Sequence, residues 1–315
     1  MPSARIQQIR TAAYDPERLA EFYNKVFDMK VVRKRADAGM FLTDGHVSLT
    51  ILKAGVKGER LRPEGLQGIG FLVDDLEEVE ALAPKYGAIT GPVRRQRSDE
   101  EYAEAELLDP IGISVELAER GFGVDAPQAT AETVRPKDPW APRAETKPRI
   151  QHIATGPYDQ EKMVDFYCNV LGMQVVYRRG SHVEDNNRAG GIFLSDGRIN
   201  FALNVPSTRR AGELTRQGLG HFGFFVDDAE ETYRRAEEAG ALGTYPTPSG
   251  VYAEGHILDP IGVRVDVAQG GFAIHAPEDA REFQGHDARA GRVVTSFVNS
   301  SDEDKQRILS GFKGS

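Results

Sequence analysis

Hydrophobic and polar positions change their period along this chain in a fixed order, and the order repeats. In RIQHIATG (149–156) they alternate as in a half-buried strand, which predicts Ile150, His152 and Ala154 on one face. DQEKMVDFYCNVLGM follows, with Met163, Phe166, Val170 and Met173 spaced by three or four, the stripe of an amphipathic helix. Asp159 is placed to cap its start, and Gly172 lies near its end. QVVYRRG, GGIFLSDG and RINFALNV then read as three strands broken by Gly, Asp and Asn. The unit restarts with the strand HFGFFV, the helix DDAEETYRRAEEAGA and the strands GTYPT, VYAEGHIL and GVRVDVA. The period is β-α-β-β-β, twice, and the first half of the chain runs the same way through Lys34, Leu52, Val73 and Leu117.

The halves are copies. IQQIRTAAYDPERLAEFYNKVFDMKVVRKR, from Ile6, returns from Ile150 as IQHIATGPYDQEKMVDFYCNVLGMQVVYRR. GLQGIGFLVDD returns as GLGHFGFFVDD, and LLDPIGISVEL as ILDPIGVRVDV. Each copy has the size of an ordinary domain. The expected division is a first domain at 1–122, a linker at 123–148, a second domain at 149–272 and a tail at 273–315. The linker is rich in Pro, Ala and charge, with Trp140, the one tryptophan, placed to pin it to a domain. The tail could form one short helix capped by Ser301, an arm around a partner subunit, or no fixed structure.

Composition narrows the partners. A net charge of −9 argues against a broad phosphate-binding surface, so nucleic acid is not expected. No apolar run approaches the length of a membrane span, and MPSARIQQIR lacks the apolar core of a secretion signal. Cys168 is the single cysteine, which excludes an intrachain disulfide and fits a reducing cytoplasm; its helical setting predicts a small buried hydrophobe rather than a nucleophile.

Candidate chemistry is confined to the second copy. Phe222, Phe224 and Val226 form one apolar strand face, so His221, Gly223 and Phe225 point to the concave side. Val263, Val265 and Val267 likewise send Arg264 and Asp266 there. With His152, two imidazoles and a carboxylate from three strands face one cavity, a set that suits non-haem Fe(II) with coordination positions left open. Taken singly, each could be a hydrogen-bonded structural residue. The first copy has Gln8 and Gly68 at the two histidine positions and keeps only a carboxylate, Glu116. The expectation is a structural half that closes the second half's cavity or makes an oligomer contact. Gln8→His with Gly68→His would then be expected to raise metal stoichiometry.

The βαβββ order with DPIG ahead of an acidic residue resembles the vicinal oxygen chelate superfamily of glyoxalase I, bleomycin-resistance proteins and extradiol ring-cleaving dioxygenases. The resemblance covers residues 4 to 272 and is nearest to the two-domain extradiol enzymes. It implies an α+β fold, four βαβββ modules paired into two domains with concave incomplete barrels. It implies Fe(II), with Mn(II), Zn(II) or Ni(II) as alternatives, held by His152, His221 and Asp266. The implied partners are a catechol-like or other vicinal-oxygen small molecule and O2, in a cytoplasmic enzyme whose default state is a homo-oligomer.

Departures from the family pattern lie around the metal. Asn200 stands where an extradiol enzyme has the second His of its Arg-His-His phrase, and Asn cannot shuttle a proton near neutrality. His256 replaces a Tyr, and an additional family His is missing from PTPSGVYAE. The catalytic candidates are His256, Asn200 and Tyr252, with Tyr252, Glu254 and His256 alternating on one strand face. His256 is either a proton donor to substrate or a histidine paired with an acid such as Glu254. Arg264, Phe201 and Phe225 are the substrate candidates, Arg264 being equally able to neutralise Asp266. His182 reads as a loop residue, and His46, His275 and His286 as surface residues. A glyoxalase-type isomerase or lyase and a non-catalytic binding protein of the bleomycin-resistance kind are the alternatives; GRINFALN lacks the carboxylate a glyoxalase site would use.

Overall fold

A computed structural model describes residues 4–35, 39–57, 60–96, 102–122, 147–178, 191–204, 217–246, 255–272 and 274. The first half runs β1 (Arg5–Ala13), α1 (Pro16–Phe27), β2 (Lys30–Lys34), β3 (Met40–Thr43) and β4 (Ser48–Lys53). A side hairpin follows, β5 (Gly55–Lys57) and β6 (Arg60–Arg62). The half closes with β7 (Gly65–Leu72), α2 (Leu76–Leu82), β8 (Thr90–Arg94), β9 (Ala105–Leu108) and β10 (Ser114–Ala118). Among the described residues the second half repeats this order without the hairpin. Its elements are β11 (Arg149–Thr155), α3 (Gln160–Leu171), β12 (Gln174–Arg178), β13 (Gly191–Ser195), β14 (Asn200–Asn204), β15 (Leu219–Phe225), α4 (Ala229–Glu238), β16 (Gly243–Tyr245), β17 (Gly255–Leu258) and β18 (Arg264–Ala268).

Each half is one open, curved eight-stranded sheet. The order is β2-β3-β4-β1-β7-β10-β9-β8 in the first and the same permutation, β12-β13-β14-β11-β15-β18-β17-β16, in the second. The four-fold βαβββ pattern is therefore present, and the edge strands do not pair to close a barrel. Local chemistry sets the helices: Asp15, Asp75, Asp159 and Asp228 each accept the backbone N–H three residues on. Gly172 ends α3 at φ 67°, a conformation that suits glycine.

Strand alternation in the second half departs from expectation at one place. Pairing of β11 with β15 slips between Ile150 and His152, a bulge that turns Ile150 into the helix-side core beside Ile153. His152 and Ala154 keep the concave face, whereas Ile150 does not share it. Gln151 is the residue absorbed by the slip, and its buried side chain accepts the N–H of Phe272 at 2.9 Å.

The helix-side faces of both sheets share one core. Phe27 of α1 stacks on Phe224 of β15 at 3.8 Å between ring centroids, and Tyr167 of α3 packs against Phe71 of β7. The first half thus lies against the convex side of the second, and the expectation that it closes the second half's cavity is not met. The contacts between halves are reciprocal. Tyr23 donates to Asp259 at 2.7 Å, and Tyr167 to Asp109 at 2.9 Å. Asp44 accepts the N–H of Ile150 and Asp196 that of Ile6, each at 2.7 Å. His46 belongs to this junction, half-buried with Nδ1 3.3 Å from Arg198, and is not an ordinary surface histidine.

The Asp of each DPIG phrase ties its own turn and the opposite half at once. Asp259 Oδ1 accepts the N–H groups of Ile261 and Val263, while Oδ2 takes Tyr23. Burial pushes its carboxyl up to about 6, against the downward pull of those hydrogen bonds. An acid whose folded pKa lies above its unfolded one holds more protons folded, so stability is lost as pH rises from about 4 to about 6. Tyr23→Phe removes a donor from a carboxylate that is ionised above that window. The expected cost is about 1–3 kcal/mol at pH 8 and smaller at pH 5, where the acid is protonated. Urea denaturation at the two pH values checks this; an equal loss at both would contradict it.

Candidate metal centre

The register of three neighbouring strands fixes the site. In β11 and β15 His152 lies opposite Gly223 and Ala154 opposite His221, while Gly223 lies beside Asp266 of β18. Paired residues share a sheet face, so His152, His221 and Asp266 surround Gly223. Glycine is needed there, because a Cβ would come within 2.8 Å of the Phe272 ring and 3.0 Å of Asp266 Cβ. Among the described residues these three offer ligand atoms that all lie within 4.8 Å of one another. His152 Nε2 is 3.4 Å from His221 Nε2, which is 3.2 Å from Asp266 Oδ2. Metal–ligand bonds of about 2.0–2.2 Å put neighbouring donor atoms about 3.0–3.5 Å apart, so the donor set fits one divalent ion.

The groups behind these side chains orient them. Asn200 of β14, paired with His152 across the parallel ladder, holds His152 Nδ1 at 2.8 Å. Its oxygen accepts the Nδ1–H, which leaves the Nε2 lone pair facing His221. Phe272 stacks on the same imidazole, with ring centroids 4.5 Å apart and planes 5° from parallel. Arg264 Nε donates to Asp266 Oδ1 at 2.6 Å, leaving Oδ2 to the imidazoles. Burial opposes ionisation of Asp266, but the charges of His221 and Arg264 prevail and hold its carboxyl well below the usual range. His152 and Asp266 are 4% and 1% exposed, and the His221 side chain 13%, so one edge of the cluster is open.

Beside the cluster the concave face is apolar. Ala154, Val176, Phe193 and Ala202 form a buried patch separate from the main core. Ala154 adjoins His221, and Ala202 lies two residues along β14 from Asn200. His256 of β17 lies directly opposite Asp266, its ring stacked on Tyr245 at 4.5 Å. It therefore shares the face of the metal cluster, next to it.

Several expected site residues take other places. Phe201 points to the helix side, fully buried against Tyr167 at 4.6 Å, and lines no cavity. Strand alternation from Asn200 requires this, since adjacent residues face opposite ways. Phe225 lies on the concave face at the far end of β15, covered by Lys147, whose Nζ is 3.8 Å from the ring centroid. Asn200, expected as a catalytic group, holds His152 Nδ1. Arg264, expected to meet substrate or to neutralise Asp266, is paired with Asp266. Tyr252 and Glu254 fall outside the described residues, as do Trp140, His182, His275, His286 and Ser301. Cys168 is half-buried, and burial pushes its thiol up to about 11, as suits a packing role. Gln151 and Phe272 were not singled out in the sequence. The repeated Gly-Phe at 121–122 and 271–272, with Gln7 and Gln151 both retained, was the available signal.

The first half shows what replaces the cluster. Gln7 holds the N–H of Phe122 as Gln151 holds that of Phe272. Glu116, at the place of Asp266, receives Gln8 at 3.0 Å and Arg10 at 2.5 Å. Arg10 corresponds to Ala154 and reaches across to the space above Gly68, where a Cβ would sit 2.7 Å from its Nη2 and 2.6 Å from the Ser114 carbonyl. In the first half Arg10 of β1 meets Glu116, whereas in the second Asp266 is met by Arg264 of its own strand. Gln8→His with Gly68→His would collide with Arg10, which corrects the simple expectation of a restored site. Removing Arg10 instead leaves a buried carboxylate without its closest cation. Arg10→Met is expected to lower stability by about 3–5 kcal/mol while leaving the second half's metal content unchanged. Denaturant melts with metal analysis check both parts; a loss below 1 kcal/mol would contradict the pairing.

The family model described as Glyoxalase/Bleomycin resistance protein/Dioxygenase superfamily matches residues 5–117 and 149–267. Among curated proteins none matches the sequence significantly. Solved structures of similar fold include the 2,3-dioxygenase LapB of Pseudomonas sp. KL28, at 18% identity and TM-score 0.58, over 85% of this chain and 92% of that one. A Mn(II)-bound glyoxalase from Novosphingobium aromaticivorans is similar at 18% identity and TM-score 0.55, over 85% and 82% of the two chains. A mutant 4-hydroxymandelate synthase from Streptomyces coelicolor matches at 16% identity and TM-score 0.60, over 93% and 99%. At such identities these likenesses show the fold alone. The family model covers most of both halves, and the chain belongs to that superfamily.

Proposed function

We propose that this superfamily member is a metal-dependent enzyme, an Fe(II) dioxygenase acting on a catechol-like or other vicinal-oxygen small molecule. The observation that carries the reading is the convergence of His152, His221 and Asp266 on one point. Two imidazoles and one carboxylate on one side of an ion are the donor set of non-haem Fe(II) oxygenases. Bound there, Fe(II) would supply a redox centre at which a chelating substrate and dioxygen meet. The wall of Ala154, Val176, Phe193 and Ala202 offers an apolar, water-poor surface against which an aromatic ring can lie. Structures of similar fold include a 2,3-dioxygenase and a catechol dioxygenase, so the scaffold is one on which such chemistry occurs.

The chain's own residues then divide the work. His152 and His221 bring their Nε2 atoms together, the former fixed by Asn200. Arg264 takes one oxygen of Asp266 and so aims the other. His256, across the ladder from Asp266, is the group placed to exchange a proton with a substrate hydroxyl. The alternative, a glyoxalase-type isomerase using Mn(II), Zn(II) or Ni(II) as Lewis acid, finds less support, because β14 carries Asn200, Ala202 and Asn204 on this face and no carboxylate. Activity that persists without oxygen would favour it.

Two outcomes test the reading. His221→Ala is expected to abolish both bound metal and oxygen uptake with a catechol panel, measured by elemental analysis and an oxygen electrode; full metal retention would refute it. His256→Gln is expected to keep the metal and lower kcat by about 10²-fold or more. An unchanged kcat across pH 6–8 would remove His256 from the chemistry.

A further inference from the structure

The first half has a cavity of its own, in the concavity that corresponds to the metal centre of the second. Gln8, Arg10, Arg35, Thr50, Arg62 and Glu116 line it, and its volume is about 40 Å³. A buried water needs about 10–15 Å³, so the space takes a compact polar group of a few atoms. Among these lining residues are three guanidiniums and one carboxylate, with Arg10 shared between Glu116 and Glu106. Thr50 is 2% exposed, and its Oγ1 has no hydrogen-bond partner among the described residues. A buried hydroxyl left unsatisfied carries a cost that a ligand oxygen would remove.

Comparison of the halves shows that this polarity is particular to the first. Arg10 is paired with Thr50 across the β1–β4 ladder, where the second half pairs Ala154 with Ala202. Apolar wall has become hydrogen-bond donors at the same two places. Phe41 and Tyr102 supply an aromatic side to the cavity, their rings meeting edge-on at 5.2 Å, with the Arg35 guanidinium 5.4 Å from the Phe41 centroid. A planar fork of donors beside an apolar flank matches a carboxylate joined to carbon better than a tetrahedral, fully charged anion.

We propose that the concave face of the first half is a second ligand site, for the carboxylate of a small organic acid. The site is independent of the metal reading, since it shares no residue with the cluster in the second half. Calorimetric titration of the full-length, metal-loaded protein with sodium acetate tests it, with sodium chloride and inorganic phosphate in parallel. The expected result is one saturable acetate site per chain, weakened tenfold or more by Thr50→Val and by Arg62→Gln, and retained in His221→Ala. The two substitutions touch different walls, so a folding defect in one leaves the other informative. No saturable acetate binding would overturn the proposal. So would phosphate or chloride binding as tightly, full binding in both variants, or loss of binding in His221→Ala, which would place the anion at the metal.

Discussion

Each half buries a carboxylate on the concave face of its last strand, and a buried anion must be met by a cation. In the first half Glu116 is 4% exposed and Arg10 closes on it. In the second Asp266 is 1% exposed, Arg264 takes only Oδ1, and Oδ2 faces two imidazoles. The remaining differences between the copies follow from this choice. Gly68 leaves room for the arm of Arg10, whereas Ala154, in place of Arg10, leaves room for His221. A fixed guanidinium makes a closed, structural solution. Two imidazole nitrogens and a carboxylate oxygen make one that an exchangeable ion can complete.

The scaffold that holds these groups is stiffened by the way the halves exchange partners. Tyr23 with Asp259 and Tyr167 with Asp109 join the DPIG turn of each half to a helix of the other. Those turns lead directly into β10 and β18, the strands carrying Glu116 and Asp266. Asp44 and Asp196 similarly cap the neighbouring half's β11 and β1. The first half therefore contributes to the candidate metal centre through strand placement rather than by covering it. Its own concave face is free to carry different chemistry.

Much of this was legible in the sequence because the repeat compares the chain with itself. The βαβββ order, the Asp159 cap and the facing of His221 and Asp266 follow from local sequence and hold in the structure. What local periodicity does not contain is register between distant strands. The slip at Gln151 moved Ile150 to the core, and strict alternation from Asn200 put Phe201 there. Side-chain partnership was also hidden: Asn200 orients His152 and Arg264 is committed to Asp266, which no spacing along the chain reveals. The role of Phe272 depends on a turn folding back over the sheet.

The central claim is that one ion sits among side chains contributed by strands β11, β15 and β18. X-ray absorption at the iron edge, on anaerobically purified protein reconstituted with Fe(II), reads that environment directly. The account predicts one iron per chain with nitrogen and oxygen neighbours at about 2.0–2.2 Å, two of them imidazoles, and loss of the imidazole signal when His152 and His221 are both replaced by Ala. Iron bound with no imidazole in its shell, or an unchanged spectrum in that double variant, would contradict it.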